Sequence, residues 1–489
     1  MITLLIAMPA VAALAAVLMK NHIRRRRMMA ATALLHLCLT FAAADEGGGI
    51  DGWLGLDSIG FIFLGITSVL FLAAAVYALG YLAAEKEKHP PRTDFVESKT
   101  VFANMPEAIF TACLLLFLST LTLACAAQNF GLLWVAIEAT TLATTPLIYY
   151  HRHHRSLEAA WKYLLVSSVG IALALLGTMF LAVSAMRPDS VEVSMSLADF
   201  LRAAPGLDHM WLKGAFIFLL IGYGTKMGLA PMHAWLPDAH SESPSIVSAL
   251  LSGAQLNCAF LGIARGLQVC AAAGQGPFAR ELLIWFGIVS MAAAAVFILA
   301  QADYKRMLAY SSVEHMGILA LGIGLGGAGS FGAMLHAVNH SLAKGMLFLL
   351  AGNILAIYKT KSAHDVTGIL KVSPVNGALW LIGLFAIAGS PPFGLFVSEI
   401  TILRAALDGG RTAVAALYLI LLALVFIGMA SPMLAMAGGA PGKAHAERHS
   451  PATIIPIVAL AGLTLLLGLW LPHPLLQMLH GASRLLGGS

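Results

Sequence analysis

The sequence predicts an all-α polytopic membrane protein of about fourteen transmembrane helices, and three observations carry that prediction. Hydrophobic residues make up 59% of the 489 residues and charged ones only 11%, with a mean hydropathy of +0.85, far more apolar than a soluble core requires. The apolar residues fall in continuous runs long enough to cross a bilayer, where a β-barrel would show short alternating segments. The lysines and arginines gather in every second loop, as the positive-inside rule requires of a multi-pass chain.

In chain order the runs fall at about 2–19, 28–44, 57–83, 101–127, 129–150, 159–185, 211–231, 244–271, 279–300, 307–327, 330–357, 374–400, 411–437 and 453–472. The first run precedes its basic cluster instead of following one, so it reads as a span and not a signal peptide. One set of loops holds Arg24 to Arg27, the segment EKEKHPPRTDFVESK, HRHHR at 151–155, Lys305–Arg306, the segment KTKSAHDVTGILK and Lys443/Arg448. That set holds 18 of the 29 lysines and arginines. It is expected to be cytoplasmic, in a bacterial-type inner membrane, with both termini outside. The longest loop, near 186–210, has room for two turns of amphipathic helix; no loop can hold a catalytic domain.

The seventh and twelfth runs are interrupted, by Pro231 after Lys226 and by Gly389-Ser390-Pro391-Pro392 before Glu399. Proline frees backbone carbonyls, which in lipid must be met by protein or water. Runs seven and twelve are five apart, so helices 4–8 and 9–13 read as two inverted five-helix repeats with broken helices at matching places, a pointer to an ion path. The expected divisions are 1–100, a three-helix segment; 101–271 and 279–437, two half-channels; and 438–489, a C-terminal helix and tail.

Charge inside these runs is costly, about 2.5–3.5 kcal/mol for a lysine at the bilayer centre, and so marks function. Lys226 lies in WLKGAFIFLLIGYGTKMGLAPMHAWLP, Glu138 in NFGLLWVAIEATTLATTPLIYY and Glu399 beyond the second break. His336, His340 and Lys344 recur at i, i+4, i+8, which puts them on one helix face with a drift of about 40° per step. His315 and Glu314 lie two turns into the tenth run. Each has a plainer reading. Glu138 and Lys226 would serve as a register-fixing ion pair, and His315 as a core histidine bonded to backbone. His336 and His340 have the spacing of a metal or haem pair, but no second ligand set is visible and no metal is expected. Glu158 and Lys162 have the spacing of an interfacial i, i+4 pair. His233 and His240, at the end of the seventh run, fit either a channel mouth or loop packing.

Other chemistry is poorly served. Five scattered cysteines, Cys38, Cys113, Cys125, Cys258 and Cys270, form no CxxC or ferredoxin-like run, so disulfides, zinc and iron–sulfur clusters are not expected. No cofactor is expected on this chain. The net charge of +5 resides in short loops and does not point to nucleic acid.

At the polar motifs the chain resembles a known family, the antiporter-like membrane subunits of respiratory complex I, group 4 hydrogenases and Mrp-type antiporters. The resemblance runs over roughly 100–430 and rests on LLWVAIEATTL, GYGTKMGLAPMHAWLPDAHSESPSIVSALLSG, ADYKRMLAYSSVEHMG, HAVNHSLAKGMLFLLAGN and GSPPFGLFVSE in order. It implies that Glu138 and Lys226 form a charge pair in the first half-channel, and that the His336/His340/Lys344 helix and Glu399 continue a buried polar axis through the second. Members often carry a lysine where this chain has Asn257, which can relay but cannot hold charge. That departure, with WVAIEATTL and NHSLAKG, makes the chain resemble hydrogenase-4 component F more than the complex I subunits.

The implied function is proton translocation along Glu138, Lys226, His315, His336, His340, Lys344 and Glu399, with Asn257, Lys162, His233 and His240 as further polar relays. The implied partners are other integral membrane subunits and a peripheral redox arm. A subunit of a cation/proton antiporter or of a bicarbonate/CO2 uptake complex is the alternative.

Overall fold

A computed structural model describes residues 1–43, 52–88, 104–186, 194–442 and 450–487, and the side chains of all of these but 85–88. Within the basic loops, residues 89–99 and Lys443/Arg448 lie outside the described residues. Among the described residues no β-strand forms; three isolated backbone bridges, such as Asn129 to Ser196, tie loops together.

Helix occupies each predicted run. α1 (Ile2–Leu18), α2 (His22–Ala42) and α3 (Ser58–Lys88) form the N-terminal group. Asn21 caps α2 by accepting from the Arg24 N–H, which offsets one orphan donor of the first turn. α4 (Glu107–Ala126), α5 (Phe130–Ile148) and α6 (His154–Ser184) follow, with α5 capped by the Asn129 side chain. The expected amphipathic turns appear as α7 (Leu197–Ala203). α8 (His209–Met227) breaks before α9 (Leu236–Glu242), and α10 (Ser245–Leu250) joins α11 (Leu256–Ala272) through a π-helical turn at 251–255.

The second half repeats this order: α12 (Gly276–Leu299), α13 (Tyr304–Leu325) and α14 (Ala328–Tyr358). After the short α15 (Ile369–Val372), α16 (Pro374–Ile387) breaks before α17 (Gly394–Asp408), and α18 (Thr412–Ala437) and α19 (Pro451–Leu469) follow. α20 (His473–Leu485) is an amphipathic helix that the hydropathy runs did not separate from the tail. Among the described residues, eleven helices are long and apolar enough to cross a membrane. The other three predicted crossings are helical too: α1 has 17 residues, α2 carries Arg24 to Arg27 in its first turns, and the twelfth is divided between α16 and α17.

Both predicted breaks are present, and protein groups meet the backbone that they free. Gly228 ends α8 in the left-handed conformation, φ 83°, where a Cβ would also meet Leu236 at 2.4 Å; glycine alone suits both demands. The Trp235 indole donates to the Thr225 carbonyl at 2.8 Å, and Ser290 Oγ accepts from the Ala230 N–H at 2.9 Å. At the second break Gly389 has φ 59°.

Charged side chains gather outside the buried middle of the bundle. At one end Lys162, Asp238, Glu242, Asp303, Arg306 and Lys361 line a charged cavity of about 320 Å³, joined by pairs such as Lys361–Glu242 at 2.8 Å. At the other, Arg265 pairs with Asp57 and Arg411 with Glu281. Between the ends, α10–α11, α13 and α14 are enclosed by other helices, with 89–100% of their apolar 18-residue stretches buried, against 39% for α6, α18 and α19. His315, His336, His340 and Lys344 sit on these enclosed helices, where protein and not lipid solvates them.

Candidate functional site: a buried polar chain in two halves

In the first half the last turn of α8 carries Lys226, fully buried, beside the negative end of its own helix dipole. Its ammonium donates to Thr141 Oγ1 at 2.8 Å and to the Tyr163 hydroxyl at 2.6 Å, and stands 4.4 Å from the Tyr163 ring centroid. Thr141 in turn donates to Glu138 Oε2 at 3.1 Å, and Ser168 donates to Glu138 Oε1 at 2.8 Å. The charge pair implied by resemblance is therefore indirect. No ion pair joins Lys226 to Glu138; one hydroxyl accepts from the first and donates to the second. Glu138 and Thr141 are three apart on α5 and share a face, so the bridge follows from their spacing once Lys226 is placed against it.

The chain extends toward the second half. Tyr163 accepts from Gln255 Nε2 at 2.8 Å and lies 2.6 Å from Thr144 Oγ1. Thr144 gives its own hydrogen to the Thr140 carbonyl, so the tyrosine hydrogen goes to Thr144. Gln255 projects from the π-helical turn, a feature common at functional sites. Asn257, two residues on, donates to the Gly253 carbonyl at 3.0 Å and to Ser341 Oγ on α14 at 2.8 Å. It thus joins the halves but does not reach Lys226.

In the second half α14 turns His336, His340 and Lys344 toward α13, all fully buried. Lys344 donates to the Leu308 carbonyl at 2.6 Å and to Ser311. His315 Nδ1 and His336 Nε2 are 3.0 Å apart, and His336 Nδ1 is 3.1 Å from Ser398 Oγ. Ser398 gives its hydrogen to the Leu395 carbonyl, so it accepts from His336 Nδ1–H. His336 Nε2 is then the acceptor for His315 Nδ1–H. The His340 ring centre is 5.0 Å from that of His315, and neither His340 nitrogen has a protein hydrogen-bond partner. Glu399 packs into the second break so closely that a Cβ at Gly389 would lie 1.9 Å from its Oε2. Glu314 is buried beside His315 on the same helix.

Three sequence-picked residues lie apart from these chains. Lys162 makes the interfacial pair that its spacing also allowed: its side chain is 48% exposed and pairs with Glu158 at 2.6 Å and Asp238 at 3.1 Å at the charged end. Successive helical residues are rotated by about 100°, and the neighbour that faces Lys226 is Tyr163. His233 packs against the rings of Phe297 and Tyr310. His240 stacks on Phe348 at 4.9 Å, fully buried, with no protein partner for either ring nitrogen. Sequence reasoning missed Thr141, Tyr163, Ser168, Gln255 and Ser398. Hydroxyls in apolar helices usually bond their own backbone, and only the presence of a charged neighbour separates these from the rest.

Residues 127–426 match the family model described as NADH:quinone oxidoreductase/Mrp antiporter, TM. The chain belongs to this family. It is 39% identical over 357 residues to a hydrogenase-4 component F homolog of Methylacidiphilum infernorum, an alignment covering 72% of each protein. Among solved structures, a chain of the membrane-bound sulfane sulfur reductase, an archaeal respiratory membrane complex, superposes with a TM-score of 0.85 at 21% identity, covering 100% of this chain and 98% of that one. A chain of the Mrp complex of Dietzia sp. DQ12-45-1b gives 0.83 at 20% identity, over 99% and 96%. The shared fold is thus that of multi-pass subunits of multi-subunit membrane complexes, and the buried Glu, Lys and His groups of this family member fit proton translocation.

Proposed function

We propose that this chain is a proton-translocating membrane subunit of a multi-subunit, redox-driven complex of the hydrogenase-4 or NADH:quinone oxidoreductase type, and that it binds no redox cofactor itself. The observation that carries the reading is the Lys226–Thr141–Glu138 bridge. Burial favours the neutral amine and a nearby carboxylate favours the ammonium, so a change at Glu138 shifts the proton on Lys226. Transfer along the bridge is balanced: Thr141 takes a proton from Lys226 and passes its own to Glu138. Glu138 is only partly buried, at a flank where a neighbouring integral subunit can act on it. His315, His336, His340 and Lys344 then conduct in the second half, with water completing the bonds that protein does not make, and Glu399 delivers the proton at the second break.

The placement we infer is a bacterial-type inner membrane, with both termini outside, the charged cavity on the cytoplasmic side, and a peripheral redox arm supplying the driving reaction. The test is proton uptake by vesicles that hold the assembled complex. Lys226→Ala should abolish pumping while assembly is retained, and full pumping by an assembled variant overturns the proposal. Repeating the assay with sodium in place of potassium separates proton translocation from cation/proton exchange.

A further inference from the structure

We infer that His315, His336 and Glu399 form a binding site for a borderline divalent cation of the Zn2+ type, and that occupancy of the site blocks the second half-channel. The inference departs from the expectation of no metal, because the ligand set comes from three helices, α13, α14 and α17, and no linear spacing displays it. One ring nitrogen of each histidine and one carboxylate oxygen all lie within 4.8 Å of one another. Zinc held by two imidazoles at about 2.0–2.1 Å keeps those nitrogens about 3.3 Å apart, and His315 Nδ1 and His336 Nε2 are 3.0 Å apart.

The hydrogen bonds decide which ring nitrogens are available to an ion. His336 Nδ1–H is committed to Ser398 Oγ, which fixes the ring and leaves Nε2 free to ligate, the outer-shell arrangement usual for metal-binding histidines. His315 carries its hydrogen on Nδ1, and its Nε2 has no protein partner. Ligation through Nδ1 therefore needs only a change of tautomer that moves the proton to Nε2. Glu399 supplies a carboxylate oxygen, giving up to water any proton it carries when the ion binds, and the buried Glu314 lies within electrostatic reach of it. The Lys344 ammonium is bound by the Leu308 carbonyl and Ser311 and lies within electrostatic reach of His315.

A cavity of about 260 Å³ bordered by Gly389, Phe396, Glu399 and Tyr418 adjoins the carboxylate, and the Tyr418 hydroxyl has no protein partner. That leaves room for water beside the Glu399 carboxylate, with Tyr418 as a hydrogen-bonding neighbour. Two imidazoles with one carboxylate select zinc-like ions over Mg2+ or Ca2+, which prefer all-oxygen shells. The block of conduction rests on the proton-path reading above, because the ion would take the same lone pairs; the binding itself does not.

Zn2+ binding to the purified full chain in lipid nanodiscs tests the proposal independently of pumping. One tightly held Zn2+ per chain is expected, with imidazole scattering and N/O neighbours at about 2.0 Å in the Zn K-edge absorption spectrum. His336→Gln and Glu399→Gln should each weaken affinity by at least about tenfold, and Ser398→Ala by about tenfold through loss of the orienting bond. His154→Gln, on the exposed surface, should leave it unchanged. Should the His336 variant not fold, the Glu399 and Ser398 variants decide. A first shell without imidazole, or an affinity indifferent to these substitutions, overturns the site. Zn2+ binding as expected with pumping unaffected would instead sink the proposed block while leaving the site in place.

Discussion

Lys226 and Glu138 do not touch; they share the hydroxyl of Thr141, which accepts from the ammonium at 2.8 Å and donates to the carboxylate at 3.1 Å. A direct pair would hold both charges in one well. A bridging hydroxyl couples them while leaving each free to change protonation, because it can exchange a donated for an accepted proton.

Thr141→Ala is therefore expected to cut proton pumping by at least about tenfold in an assembled complex, whereas Thr141→Ser retains most of it. Vesicle acidification compared across the two variants checks this. Equal pumping by Ala and wild type would show that the bridge is dispensable.

Tyr163→Phe keeps the ring 4.4 Å from the ammonium but removes the oxygen that accepts from Lys226 and Gln255. Losing an acceptor for a buried charged donor should cost about 2 kcal/mol of stability and lower pumping, without the complete loss expected of Lys226→Ala. Thermal unfolding in detergent and vesicle pumping give the two readouts.

Lys162→Ala makes the contrasting case. Its pairs lie at the exposed charged end, where ion pairs contribute about 1 kcal/mol or less. More than half of the pumping should survive. Loss comparable to that of Lys226→Ala would put Lys162 back in the conducting path.

Asp57, just outside α3, pairs with the buried Arg265 and accepts from the Gly60 N–H at 2.9 Å. Burial, the largest single influence, would raise its carboxyl, but the Arg265 guanidinium and the backbone N–H groups of Gly60 and Asp57 together outweigh this and hold it below the ordinary carboxylate range. The folded value is depressed, so the stabilisation is complete above the unfolded value of about 3.9 and is lost as pH falls through the folded value. Asp57→Asn should cost about 2–3 kcal/mol at neutral pH by stranding the arginine and flatten the acid limb of the stability curve. Unfolding midpoints of variant and wild type from neutral pH down to acid should converge if this holds.

Local sequence was enough for the helical membrane class, the two broken helices and the buried charges. All three depend on local composition: apolar run length, proline and glycine placement, and the cost of an ionised group in lipid. The i, i+4, i+8 spacing also sufficed to put His336, His340 and Lys344 on one face, since helix geometry alone fixes it. Tertiary packing decided which groups meet. Lys162 and Tyr163 are neighbours in sequence, yet one faces solvent and the other Lys226, because rotation by about 100° per residue leaves the inward face to be chosen by the partner helices. His315, His336 and Glu399 come from three helices whose relative heights no single-chain period encodes. Thr141 carried no signal of its own until Lys226 and Glu138 were placed on either side of it.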